Sequence, residues 1–231
     1  MYNLNDDLQE KKARVTNKQV INGYWSQKEY VGNLVIPSTI TVDNEVYTVT
    51  NIDWECFTPS KNLTSVTIPS TVKSLAYGAF RDCTGLKSVT LPNTLESLEQ
   101  FCFENCKRLG SITIPESVTT IDDACFSQCV SLTSIFMLPP TPPTTGSKVF
   151  LSVPLQTVYV VDENAKALYQ AAAPWNQYRI VVMPTGIDNV QKDAPRITHL
   201  YDLSGKPLNG HQHGPVIVRY NDGSTRKLLL K

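Results

Sequence analysis

Three histidines are the whole supply of imidazoles in the chain, and His199, His211 and His213 all lie in its last 33 residues. His211 and His213 sit in a turn bounded by Gly210 and Gly214, where two imidazoles could share a metal. No carboxylate motif accompanies them, and a solvated loop is the simpler reading. The six cysteines offer a second chemistry, because Cys102-x3-Cys106 and Cys125-x3-Cys129 formally suit a four-thiolate zinc site. Asp122 and Asp123 are the remaining candidates, but the same phase of other repeats holds Ala76-Tyr77 and Glu99-Gln100, so they read as surface variation. No nucleophile, base and orienting group can be assembled by spacing, and no glycine loop is built to cradle phosphate. The expectation is a protein that is not an enzyme and carries no cofactor or metal.

The elements that hold these residues explain most of them. Phe57, Phe80, Phe103 and Phe126 recur every 23 residues. In register with them run the apolar triplets Val31/Leu34/Ile36, Leu63/Val66/Ile68, Leu86/Val89/Leu91, Leu109/Ile112/Ile114, Leu132/Ile135/Met137 and Leu155/Val158/Val160. A period of roughly 20–29 residues with an L-x-x-L-x-L core is the signature of leucine-rich repeats, each supplying one short strand and a return segment. The predicted fold is mostly β: a right-handed solenoid of about six rungs with a 23-residue repeat. The cysteines obey the same period, Cys83, Cys106 and Cys129 at one phase and Cys56, Cys102 and Cys125 at another. Small buried thiols at a fixed phase account for them. Stacked rungs could also bring like-phase cysteines within disulfide range, although parallel stacking does not guarantee the necessary Cβ geometry.

The ends of a stack expose core and unpaired backbone, so terminal repeats must differ from middle ones. Nine extra residues between Ile40 and Val49, with Asp43-Asn44 between Thr41-Val42 and Val46-Tyr47-Thr48-Val49, predict a hairpin cap in the first rung, preceded by a strand-like Arg14-Val15-Thr16. At the other end Asp162 predicts the N-cap of a short helix through Ala165, Leu168, Tyr169 and Ala172 to a stop at Pro174, with Trp175 and Tyr178–Val182 closing the stack. The division expected is therefore 1–50 for the cap and first rung, 51–183 for the solenoid with its capping helix, and 184–231 for a small β module. That module rests on Ile197–Gly205, Val216–Tyr220 and Thr225–Leu230, the last two separated by Asn221-Asp222-Gly223-Ser224, a strong hairpin signal.

Between the apolar positions of each strand, alternate side chains face solvent. They form one ladder of Asn33, Ser65, Ser88, Ser111, Ser134 and Thr157, and another of Val35, Thr67, Thr90, Thr113, Phe136 and Tyr159. Stacked hydroxyls suit a sheet and are not a row of nucleophiles. The prolines after each strand, Pro37, Pro69, Pro92 and Pro115, end it at the same place in each turn. The large rings at outward phases carry the binding expectation: Trp54, Tyr77 and Phe101 beside the second apolar segment of their repeats, Phe136 and Tyr159 on the strand face. Packing beneath the proline-rich loop or the capping helix is the competing account of Phe136 and Tyr159.

With 21 basic and 21 acidic residues the net charge is zero, so no overall field favours nucleic acid. No run approaches the roughly 20 apolar residues of a membrane span. Residues 1–20 carry Asp6, Asp7, Glu10, Lys11 and Lys12 and hold no signal peptide. Met1 runs straight into strand-like Tyr2-Asn3-Leu4, which is consistent with a secreted protein whose leader has been trimmed.

The pattern L-x-x-V-x-I-P-x-x-V-x-x-L-x-x-x-A-F-x-x-C from Leu63 to Cys83, repeated at Cys102-Phe103 and Cys125-Phe126, resembles the BspA-like class of leucine-rich repeats. The resemblance spans Val31 to about Val182. The tail, with Tyr201-Asp202-Leu-Ser-Gly205-Lys206, Val218-Arg219, Asp222-Gly223 and Lys231, resembles shortened C-terminal sorting modules of secreted proteins from anaerobic gut and oral bacteria. What the resemblance implies is a secreted or cell-surface protein that acts by binding a protein partner, with adhesion to host or neighbouring-cell proteins as the expected use. A structural spacer without its own ligand is the alternative. No catalytic or ligand residue transfers with the resemblance, because the matching positions are core and turn positions.

Overall fold

The structure is a computed structural model. It describes residues 12–15 and 29–183 with their side chains, together with the backbones of the strands Tyr2–Leu4, Lys18–Ile21, Tyr24–Gln27, Ile197–Tyr201, Gly214–Tyr220 and Thr225–Leu230. The chain forms two compact units, Met1–Met183 and Pro184–Lys231.

In the first unit each repeat makes one turn of a solenoid. Its apolar triplet lies on and immediately beside the first strand, which is Gly32–Val35, Leu63–Thr67, Ser88–Thr90, Ser111–Ile114, Ser134–Met137 or Thr157–Val160, with Arg179–Val182 added parallel to the last. These strands form two parallel sheets, one of three strands and one of four, divided between Ser88–Thr90 and Ser111–Ile114. The register is the repeat itself, Ser65 beside Ser88, Ser111 beside Ser134 and Phe136 beside Tyr159. A second set of short strands, Ser74–Leu75, Ser97–Leu98, Thr120–Ile121 and Thr144–Thr145, continues in parallel from Glu45–Ile52 without interruption.

The third side is a turn arc that stacks through its own backbone. In the second full repeat the N–H groups of Gly78, Phe80 and Asp82 donate to the carbonyls of Gln100, Cys102 and Glu104 in the next rung, each at 2.9 Å. Positive φ recurs at two phases of the arc: Glu55, Gly78, Phe101, Ala124 and Lys148 at one, and Asp82, Asn105, Gln128 and Ser152 at the other, which the first arc lacks. These left-handed residues alternate the chain direction, so that every second N–H faces the neighbouring rung.

The core is a set of columns. Leu63, Leu86, Leu109 and Leu132 are fully buried, as are Phe57, Phe80, Phe103 and Phe126. The phenylalanine rings stack nearly parallel with centroids 4.8, 5.3 and 5.6 Å apart. Phe150 continues the column at 6.0 Å, one residue out of period. Tyr30 closes one end edge-on at 4.9 Å and Trp175 the other at 5.4 Å.

Both caps follow from local chemistry. Thr39–Val42 pairs antiparallel with Glu45–Ile52 around Asp43 and Asn44, whose φ values of 50° and 64° are those of the tight hairpin turn that favours such residues. Lys12–Val15 pairs parallel with Glu45–Ile52 on its other side. Helix Glu163–Ala171 is capped by Asp162, whose carboxylate accepts the Ala165 N–H at 2.7 Å. It seats Ala165 and Tyr169 in the core, with the Tyr169 hydroxyl donating to the Pro139 carbonyl at 3.1 Å. Leu168 on the same helix is 46% exposed. Val31, read from sequence as part of the first apolar triplet, is a correction. A register shift between Gly32 and Asn33 places Gly32 opposite Leu63, so Val31 misses the core column and stands 67% exposed.

In the second unit Ile197–Tyr201, Gly214–Tyr220 and Thr225–Leu230 form a three-stranded antiparallel sheet. His211, His213 and the turn Asn221–Ser224 lie outside the described residues, as does the side chain of His199.

Candidate interaction surface

The cysteine ladders are built for packing. All six thiols are free and buried. Cys83, Cys106 and Cys129 each donate S–H to the carbonyl of the phenylalanine one rung back, Phe57, Phe80 and Phe103, at 3.1–3.2 Å. Desolvation pushes Cys83 and Cys129 up to about 12 and raises the other four thiols as well. A thiol held protonated is neither a nucleophile nor a ready metal ligand. Among the described residues no group of three or more His, Cys, Asp or Glu side chains is arranged to hold a metal ion.

Trp54, Tyr77 and Phe101 lie on three successive rungs, just past the second short strand of each. The Glu55 N–H donates to the Tyr77 carbonyl at 2.9 Å, which fixes Trp54 and Tyr77 at one phase on adjacent rungs. Trp54 is 49% and Tyr77 37% exposed, and Phe101 is half-buried. Tyr77 meets Phe101 edge-on with centroids 5.3 Å apart. Phe101 stands at the left-handed turn position, φ 58°, where the preceding repeat has Gly78. Bulky residues resist that conformation, and the inter-rung bond from the Phe101 N–H to the Asp123 carbonyl at 2.9 Å holds it there.

Arg81 completes this corner and was not among the residues singled out from sequence. Its guanidinium lies 5.8 Å from the Phe101 ring centroid. The same group faces Glu104 at 2.9 Å, Glu55 at 3.6 Å and Asp82 at 3.8 Å. A sequence signal existed: Arg81 and Glu104 are one period apart, an opposite-charge pair at equal phase on adjacent rungs. Glu99 accepts the Tyr77 N–H at 3.0 Å.

Phe136 and Tyr159 belong to another face. Their rings stack on adjacent strands at 4.8 Å and 11°, both half-buried, so the five outward rings form two separate groups. Two clefts, of about 460 and 490 Å3, lie beside the proline-rich loop Pro139–Pro143 and beside Phe150, Pro174 and Tyr178 respectively. Neither touches a ring of the Trp54 corner.

Among solved structures, the T. pallidum leucine-rich repeat protein TpLRR is 27% identical, covering 69% of this chain and 67% of that one with a TM-score of 0.55. A leucine-rich repeat protein from Bacteroides capillosus is 28% identical over 59% of this chain and 91% of that one, TM-score 0.49. A leucine rich cell surface protein from Faecalibacterium prausnitzii is 20% identical over 97% of this chain and 57% of that one, TM-score 0.47. No curated protein matches the chain. No helix among the described residues is long and apolar enough to cross a membrane. The family model described as BspA type leucine rich repeat region matches in six copies across residues 50–172, more than half of the sequence. The chain belongs to the BspA-type leucine-rich repeat family.

Proposed function

We propose that this protein is a secreted or cell-surface protein-binding module and that the corner bearing Trp54, Tyr77 and Phe101 is its contact surface. The observation that supports this reading is the placement of three rings at outward phases of consecutive rungs, where packing of the stack does not require them. Aromatic anchors dominate interface energetics, and solenoids present extended surfaces suited to binding. Adhesion to host or neighbouring-cell proteins is the use we assign to it. The Ser/Thr ladders contribute little to such contacts, since exchanging water for a partner at a neutral hydroxyl nets only about 0.5–1.5 kcal/mol.

The test is capture of extracellular proteins by the purified chain, repeated with Trp54, Tyr77 and Phe101 changed together to Ala. The captured partner should be lost with the thermal midpoint retained, whereas Ser65, Ser88 and Ser111 changed together to Ala should bind normally. The reverse pattern would move the site to the strand face. A spacer that displays other parts of a larger protein is the second reading, favoured by the regular hydroxyl ladders of paired Ser65/Ser88 and Ser111/Ser134. It expects no capture by either form.

A further inference from the structure

We infer that the C-terminal end of the solenoid binds an extended peptide segment, which adds as a parallel strand beside Thr144–Thr145. Each of the short strands Ser74–Leu75, Ser97–Leu98 and Thr120–Ile121 is paired in parallel on both sides, with the rung before and the rung after. Thr144–Thr145 pairs with Thr120–Ile121 alone and is the last strand of its sheet. The repeat explains the gap. One period beyond Thr145 the chain reaches Leu168, which lies in helix Glu163–Ala171, so the last rung supplies a helix where earlier rungs supply a strand. The Thr144 and Gly146 N–H groups donate back to the carbonyls of Thr119 and Ile121, at 2.9 and 2.8 Å. Alternate residues of a strand direct their backbone groups to opposite neighbours, so the N–H and C=O of Thr145 face the side that lacks a strand. Such an edge is a template for pairing with another chain.

Space and charge at this edge fit such a segment. Two clefts adjoin it, of about 460 and 490 Å3, and both are lined by Thr145 and Ala173. At 3.3 Å per residue, 4.8 Å between strands and about 10 Å of layer depth, each holds about three residues of extended chain. Ala172, Ala173 and Pro174, which follow the helix, supply further walls, and Ala173 is exposed. Glu116 lines the first cleft together with the proline-rich loop that leads into Thr144, and Lys148 lines the second, beyond Thr145. A parallel segment therefore runs from an acidic group to a basic one, and the matching sequence is basic at its start and acidic at its end. β-Branched residues between those charges suit an added strand. The site is separate from Trp54, Tyr77 and Phe101, none of which lines either cleft.

The experiment titrates the full chain with a fluorescent hexapeptide with neutral ends, Lys-Thr-Val-Thr-Val-Glu, followed by anisotropy. Thr145→Pro removes the N–H on the open side and keeps those of Thr144 and Gly146, while Ala173→Trp fills the wall that the two clefts share. Each should weaken binding at least tenfold. Of two versions of the peptide N-methylated at alternate residues, one should bind as the parent does and the other at least tenfold more weakly, because alternate amides face the sheet. The reversed sequence, Glu-Val-Thr-Val-Thr-Lys, should bind at least threefold more weakly, a difference that Glu116→Gln with Lys148→Met abolishes. Protection of the buried thiols from labelling verifies that each variant is folded. Trp54, Tyr77 and Phe101 changed together to Ala should leave peptide binding unchanged, so failure of this site and failure of the ring surface are read separately. No binding of the peptide, binding that survives Ala173→Trp, or equal binding of both N-methylated peptides would overturn strand addition. Equal binding of the forward and reversed sequences would overturn the parallel, charge-directed register. Self-association of the chain that is lost in Ala173→Trp would assign the edge to a second copy instead.

Discussion

Phe103→Ala should be among the most damaging single truncations in the solenoid. Phe103 is fully buried and lies between Phe80 at 5.3 Å and Phe126 at 5.6 Å, within 3° of parallel to each. A buried Phe covers about 150–250 Å2, which at about 25 cal/mol per Å2 is roughly 4–6 kcal/mol. Ala retains a fraction of that, so the expected loss is about 3–5 kcal/mol. Collapse of the cavity would lower the cost, but the backbone there is pinned. The Phe103 N–H donates to the Cys125 carbonyl at 2.8 Å, and its own carbonyl accepts the Cys129 thiol at 3.1 Å. The upper half of the range follows. Half-buried Phe150, at the looser end of the column, should lose roughly half as much on truncation, and Phe103→Leu less than about 1.5 kcal/mol. All six cysteines lie between residues 56 and 129, so urea-dependent labelling by a disulfide reagent reads the solenoid alone, undisturbed by the second unit. A loss below about 1 kcal/mol for Phe103→Ala, in the range of ordinary surface changes, would refute the stacked column. So would Phe150→Ala costing more than Phe103→Ala.

Alkaline pH should destabilise the solenoid through its thiols. Folding raises Cys83 and Cys129 from 9.0 to about 12, so the folded state binds more protons above pH 9. Their contribution is fully present below pH 9 and is lost as pH rises toward 12, each thiol approaching a slope of about 1.4 kcal/mol per pH unit. Denaturant midpoints measured from pH 7 to 11 should fall more gently in the Cys83→Ala, Cys129→Ala double variant, and identical slopes would contradict the argument. Phe101→Gly should leave the thermal midpoint within about 4 °C of the parent, because relief of the left-handed backbone offsets the lost ring contact. Phe101→Val should fall further, since β-branching aggravates that φ, and the opposite order would place the strain elsewhere. Asp162→Ala removes the helix cap at 2.7 Å and should cost about 1 kcal/mol, followed by the fluorescence of Trp175 with Trp25 and Trp54 replaced by Phe. No change would show that the cap is unnecessary to the C-terminal closure.

Buried phases were legible in the sequence because packing constrains them at every turn. Leu63, Leu86, Leu109 and Leu132 occupy one column since each must face the same interior, and Asp43-Asn44 and Asp162 announced their turn and cap by local backbone chemistry. Departures of a single residue were not legible. The shift that turns Val31 outward falls at Gly32, φ 71°, a glycine whose left-handed backbone the apolar period does not register, and Phe150 escaped the period because it follows Phe126 by 24 residues rather than 23. The period also explained where the cysteines are without showing what they do. Their S–H bonds to Phe57, Phe80 and Phe103 depend on the offset between adjacent rungs, which no single repeat contains.

The ring corner was only partly legible for the converse reason. Inter-rung bonds from the Glu55, Gly78, Phe101 and Ala124 N–H groups hold the arc whatever side chain stands there, as the mixture of Glu, Gly, Phe and Ala at that left-handed phase shows. Side chains at outward phases are thus released from the packing that makes a repeat periodic. Trp54 and Tyr77 could be picked out because large rings are costly to expose, but Arg81 is an ordinary surface residue until the stack sets it over Phe101 and against Glu104. The cluster joins three rungs, so it exists only in the folded solenoid. On the proposed reading, a change of ring or charge there should alter binding with little effect on the column beneath. That separation leaves one repeat architecture free to carry different outward side chains without disturbing its core.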